Sequence, residues 1–189
     1  MSNRFSSNID SLPASEKSGA PVLSVRRLSA GFSTDEGRFN AVDNVSFDIF
    51  PGESVGLVGE SGCGKSVTAL SLLRLIPSPP GFMNAESIAF NGVNLMDLPP
   101  ADLRHVRGRD ISMIFQEPLS ALSPLHRIGR QMIETLKLHR KISRTAARRI
   151  AESWLRRVGI PDPGERMNAY PYQLSGGMQQ RVMIAMALM

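Results

Sequence analysis

Apolar and polar positions along this chain follow two periods, one in each half. In "VSFDIF" (45–50) Val45, Phe47 and Ile49 alternate with polar residues, the period of a half-buried strand, and "VLSVRRL" (22–28) also reads as a strand. After the turn "PGE" (51–53), "SVGLVG" (54–59) is a short continuous apolar run, expected to be a strand buried on both faces. Residues 65–75 suit a helix stopped by Pro77, and "PSPPG" (77–81) reads as a loop. "SIAF" and "VNL" flank Asn91-Gly92, which predicts a two-residue hairpin. "PADLRHVR" (100–107) predicts a short helix with proline at its start, and "DISMIF" (110–115) another apolar strand.

From there the period lengthens. Over 126–158 apolar residues recur at helical spacing, clearest in Ile150, Ala151, Trp154, Leu155 and Val158, and Gly159 and Pro161 end that helix. In "LSGGMQQRVMIAMALM" (174–189) a Ser-Gly-Gly turn heads a last helix, and Val182, Ala185, Met186 and Met189 keep helical spacing to the final residue. That apolar stripe is expected to need a covering surface from beyond this chain.

Composition narrows the class only a little. With 189 residues and 42% hydrophobic content the chain suits one domain, or one domain with a subdomain. The net charge of +5 points to an anionic partner or, more simply, to a solvated basic helix face, since basic residues concentrate between Arg127 and Arg166. The single cysteine, Cys63, excludes an intramolecular disulfide and a cysteine-cluster zinc site, which fits a reducing compartment. No apolar run approaches membrane-spanning length, and residues 1–20 read as a polar, disordered lead-in without the apolar stretch of a signal peptide.

The chemistry lies in "GESGCGKS" (59–66), which matches G-x-x-x-x-G-K-[ST] between an expected strand and a helix. Gly59, Gly62 and Gly64 let the backbone approach phosphate and turn successive N–H groups inward, with Glu60, Ser61 and Cys63 between them. The helix behind offers its positive end. Lys65 would reach the β- and γ-phosphates, and Ser66 would ligate Mg²⁺. Cys63 is either a small side chain that fits or a reactive thiol whose alkylation would block nucleotide. By itself this loop does not separate a kinase, a GTPase and a motor ATPase.

The loop, then "IFQEP" (114–118), then "LSGGMQQR" (174–181), in that order, resembles the nucleotide-binding domain of an ABC ATPase over residues 22–189. The resemblance implies an α/β fold of the P-loop NTPase type, with an antiparallel β subdomain and a helical subdomain. It implies an ATP-binding core over 21–115 and a helical part over 116–189. It implies ATP and Mg²⁺ as cofactors, with Gln116 at Mg²⁺ and the attacking water and Phe32 stacking on adenine, although Phe39 lies close enough to compete. Leu174, Ser175, Gly176, Gly177, Met178 and Gln179 match the signature that meets the nucleotide of a second cassette, in a head-to-tail dimer or a tandem half. Met178 departs from the usual glutamine there.

"LLRLIPSPPGF", "MIFQEPLSALSPLHRIGRQM" and "YPYQLSGG" are most similar to the dipeptide, oligopeptide and nickel importer branch, especially the first half of its two-cassette members. That implies a peripheral position on the cytoplasmic face of a bacterial inner membrane. It also implies permease subunits contacting about residues 117–131 and, indirectly, an external solute-binding protein. No nucleic acid is expected. The Walker B strand, its catalytic Glu and the switch His have no match: "NLMDL" (94–98) lies in the expected hairpin, and His105, His126 and His139 all precede the signature. The chain is therefore expected to be an N-terminal fragment with poor stability and negligible turnover. Two other classes share these motifs, an inert nucleotide-binding remnant and the DNA-associated ABC ATPases.

Overall fold

The computed structural model describes residues 19–117 and 121–189. They fall into two compact units, divided between Leu98 and Pro99.

The first unit is built on one antiparallel sheet. Its long strand β1 (Leu23–Thr34) forms a hairpin with β2 (Gly37–Ile49), Thr34 pairing with Gly37 and Leu23 with Ile49. Two short strands share the opposite edge of β1. β3 (Gly81–Asn84) lies beside Ser29–Phe32, and β4 (Ser87–Phe90) beside Leu23–Arg26. β4 continues into β5 (Val93–Asn94) through Asn91 and Gly92, both left-handed at φ 47° and 80°. These are the backbone angles a twisted two-residue turn requires, so the expected hairpin is present.

Helix α1 (Lys65–Leu72) contacts β1 and β2. The side chains of Leu23, Val25, Leu28, Ala30, Val42, Ile88 and Leu95 form the buried interior of this unit. The Arg74 guanidinium pins the segment after β5, donating to the carbonyls of Leu95, Met96 and Leu98 at 3.2, 3.4 and 2.8 Å.

Two expected strands are not formed. Residues 54–59 carry no ladder and are exposed throughout, Val58 at 93%. Residues 110–115 make only one isolated bridge, Ile111 to Arg107, and leave Ile114 and Phe115 exposed. The reason is non-local. A strand buried on both faces takes its hydrogen bonds and its cover from neighbours, and among the described residues neither run has a strand beside it. β3 is the converse case: apart from Gly81, the last residue of the expected loop, its residues carry no strand signal in the sequence, and they form a strand because β1 supplies a free edge.

The second unit is helical, with α2 (Pro100–Val106), α3 (Ile128–His139), α4 (Arg144–Arg157), α5 (Pro163–Arg166), a 3₁₀ turn (Pro171–Gln173) and α6 (Gly176–Leu188). The helical period over 126–158 is interrupted at 140–143. Arg140 turns extended, and Ser143 starts a new helix by accepting a hydrogen bond from the Ala146 N–H at 3.1 Å.

The buried residues step by one helical turn: Ile128, Met132 and Leu136 on α3; Ala147, Ala151 and Leu155 on α4; Val182 with Ala185 on α6. The stripe on the last helix is thus covered inside this unit, by α3 and α4, and needs no outside surface for Val182 and Ala185. Alanine at Leu155, fully buried in this cluster, is expected to cost about 2–5 kcal/mol, read as a lower urea midpoint with unchanged slope. An unchanged midpoint would mean that α4 is not packed as described.

Candidate functional site

The loop 59–66 leads directly into α1. Gly64, at φ 91°, is the left-handed residue before the helix, and a Cβ there would stand 2.2 Å from the Ala41 carbonyl oxygen of β2. Only glycine allows that approach and that angle together. Gly62 is also left-handed, at φ 85°. A Cβ on Gly59 would fall 2.5 Å from the Cys63 sulfur, so the loop closes tightly on itself.

Lys65 folds its ammonium over this loop and donates to the carbonyls of Gly59 at 2.8 Å and Glu60 at 2.6 Å, with the Cys63 sulfur at 3.5 Å. Thr68 anchors the loop from behind, its hydroxyl donating to the Gly64 carbonyl at 3.0 Å. Ser66 and the loop residues Gly59–Cys63 are exposed. The result is an open cradle with a cation poised above it and the start of a helix beneath. Such a site suits a polyphosphate.

Phe32 lies on a definite face of the sheet. Residues opposite one another in an antiparallel pair share a face, and so do alternate residues of one strand. Phe32 therefore shares a face with its partner Phe39 and with Ala30 and its partner Val42. A Cβ on Gly64 would meet Val42 at 3.2 Å, so the phosphate loop rests on this same face. The two phenyl rings are 5.9 Å apart and tilted, with Phe39 half exposed. Gly31 makes the pairing possible, since its neighbours leave no space for a side chain: the Phe39 carbonyl oxygen would be 1.9 Å from a Cβ.

The signature lies in the second unit. Ser175 caps α6, accepting from the Met178 N–H at 3.3 Å. Gly176 and Gly177 are exposed, and a Cβ on either would meet nothing within 4 Å. The head of a 13-residue helix is thus open to an approaching group. Leu174 is buried below it. The Gln179 amide is also buried, donating to the carbonyls of Pro171 at 2.8 Å and Leu174 at 3.1 Å, so it braces the turn that presents Ser175. Met178 is partly buried against the helical core. Replacing Ser175 by alanine removes the cap and is expected to cost about 1 kcal/mol, with faster amide exchange confined to the first turn of α6.

Gln116 is exposed at the end of the irregular segment 111–117. Pro118, Leu119 and Ser120, part of the expected permease-contacting stretch, lie outside the described residues. A residue that sequence reasoning missed organises the remainder of that stretch. Gln131, buried on α3, accepts from the Ser123 N–H at 2.8 Å and donates to the carbonyls of Ser123 and His126 at 3.0 and 2.8 Å. The only sequence signal was a glutamine at a core-facing position of α3, one residue before Met132.

The family described as ABC transporter matches residues 42–189. The chain belongs to that family. It is 53% identical over 173 residues to the peptidoglycan transport ATP-binding protein YejF of Agrobacterium fabrum, covering 92% of this chain and 32% of the relative. It is 50% identical over 167 residues to the dipeptide transport ATP-binding protein DppD of Bacillus subtilis, covering 88% of this chain and 50% of the relative. It thus spans a third to a half of the length of these curated relatives.

Among solved structures, the dimer of MJ0796, a bacterial ABC transporter cassette, superposes with a TM-score of 0.75 at 27% identity, covering 88% of this chain and 68% of that one. The same cassette bound to ADP and Pi gives 0.73 at 25% identity. The ABC cassette fold expected from the sequence is therefore shown, with its antiparallel sheet and its helices.

Proposed function

We propose that this chain is the nucleotide-binding part of an ABC ATPase subunit that powers uptake of peptides or similar small solutes across a bacterial inner membrane. The observation that carries the proposal is the 59–66 cradle, with Gly64 pressed against β2 and the Lys65 ammonium held over the loop carbonyls. ATP would be held by Gly59–Ser66, with its adenine against Phe32, and Mg²⁺ would be held by Ser66 and Gln116. A bound Mg²⁺ would neutralise charge building on the phosphates. Within the first unit the residues present fit these groups: an exposed hydroxyl at Ser66 and an ammonium at Lys65 whose partners among the described residues are loop carbonyls and a thiol.

Ser175, Gly176 and Gly177 would meet the nucleotide of a second cassette, with Leu174, Met178 and Gln179 holding them in place. Support for the importer reading comes from the relatives named for peptidoglycan and dipeptide transport. Permease subunits would contact about residues 117–131, from the cytoplasmic face, with a solute-binding protein acting at one remove. No helix among the described residues is long and apolar enough to cross a membrane. The 189-residue chain alone would bind nucleotide with negligible turnover, since no residue in it matches the catalytic Glu or the switch His.

Titration with a fluorescent ATP analogue and Mg²⁺, competed by unlabelled ATP and by tripolyphosphate, tests this. Saturable binding displaced by both competitors, ATP being the stronger, is expected. A folded chain without saturable binding would overturn the nucleotide reading, and steady ATP turnover by the purified chain would overturn the claim of inactivity.

A further inference from the structure

Residues 99–189 hold fifteen of the 22 lysines and arginines but only seven of the 17 aspartates and glutamates, so the positive excess of the chain lies wholly in the second unit. Part of it collects on one side of α4. Ala147, Ala151 and Leu155 turn inward on this helix and are fully buried, with Ile150 and Trp154 packed beside them. At about 3.6 residues per turn, Arg149, Ser153 and Arg156 then fall on the side facing away from that core. Arg149, Arg156 and the neighbouring Arg157 are exposed.

None of these three guanidinium groups has an ion-pair partner among the described residues. Glu152, the one acid on α4, is bound to Arg148 at 2.9 Å. Asp162 and Glu165, the next acids along the chain, form no ion pair with this side either. Arg157 lies 4.7 Å over the Trp154 ring, a contact that holds its fork at the surface. The helix dipole favours cations in a last turn, and so accounts for Arg156 and Arg157. It gives no reason for Arg149, two turns earlier and about 10 Å away along the same side.

We infer that the outer side of α4 rests on an anionic membrane surface, with its arginines on lipid phosphates. Arg149, Ser153 and Arg156 offer charge and a hydroxyl but no apolar side chain, so a folded protein partner would bury little apolar area there. A membrane surface needs no such area, because its phosphates and negative potential attract each guanidinium separately. The inference goes beyond the proposed function: it requires neither nucleotide nor permease, and a subunit proposed to work at a membrane has such a surface beside it.

The test is flotation of the 189-residue chain, without nucleotide, on vesicles of phosphatidylcholine alone and of phosphatidylcholine with phosphatidylglycerol. Binding to the anionic vesicles only is expected, falling as salt is raised. A basic side chain at such a surface is worth about a fivefold gain in partitioning, so R149Q with R156Q should weaken binding about 30-fold and R149E with R156E should abolish it. The same charge change made elsewhere, K137E on α3 with R144E at the start of α4, should leave binding within about threefold. Circular dichroism checks that each variant is folded, and the neutral pair keeps the test decisive if the reversed pair is not. No binding, equal binding to both vesicles, equal losses in the two reversed pairs, or Arg149- and Arg156-dependent retention on duplex DNA in place of vesicles would each overturn the inference.

Discussion

Alanine at Lys65 is expected to lower nucleotide affinity by about 10- to 150-fold while leaving the fold intact. Among the described residues, the Lys65 ammonium bonds only to the carbonyls of Gly59 and Glu60 and, at longer range, to the Cys63 sulfur. Loop carbonyls are ordinary acceptors, and the loop is exposed, so the apo protein loses little when the lysine goes. Phosphate oxygens carry full charge. A hydrogen bond to a charged group is worth about 1.5–3 kcal/mol, and the quoted factor is that energy expressed as an affinity ratio. Arginine at the same position keeps the charge but cannot place a compact ammonium over the loop, so it should rescue poorly. The measurement is the same fluorescent-nucleotide titration, with circular dichroism to confirm the fold. Wild-type affinity in the alanine variant would remove Lys65 from the site.

Alanine at Gly31 should act in the opposite way, on the fold first and the site second. Its Cβ would stand 1.9 Å from the Phe39 carbonyl oxygen and 2.9 Å from both the Phe39 carbonyl carbon and the Phe82 ring. Two of those atoms are backbone of the paired strand, which cannot rotate away as a side chain can. β1 and β2 must then separate where Gly31 pairs with Asn40 and Phe32 with Phe39. β1 is the strand to which β2, β3 and β4 all pair. The expected cost exceeds about 4 kcal/mol, the range reserved for overpacking and strain, and approaches the whole stability of a small domain. Gly56→Ala is the comparison, because a Cβ there meets nothing within 4 Å and its φ is not left-handed. Equal urea midpoints for the two variants would refute the close approach of the hairpin strands.

These variants probe features of differing legibility. The phosphate loop was readable because each of its residues answers a local demand: glycine where the backbone is left-handed or pressed against β2, and lysine at the helix start. The Asn91-Gly92 turn and the Ser175 cap are local in the same sense, each set by a few neighbouring dihedrals and one side chain. Placing Phe32 took tertiary information. Two phenylalanines seven positions apart become neighbours only through the hairpin register, and only the contact between Gly64 and β2 shows which face they share with the loop. Gln131 and Gln179 were harder still. Each acts through a buried amide bonded to carbonyls five to eight residues away, and no periodicity marks such a role.

By itself, then, the sequence determined the helices, the tight turns, the phosphate cradle and the order of motifs that places the chain among ABC cassettes, since all of these arise from short-range sterics, capping and spacing. The tertiary structure decided which apolar runs become strands. Residues 81–84 became one because β1 offered an edge, and residues 54–59 and 110–115 did not because no strand lies beside them among the described residues. It also decided that the helical period breaks at 140–143, and that the last helix finds its cover on α3 and α4. Strand hydrogen bonds and buried area belong to pairs of segments, so no single segment's pattern can specify them.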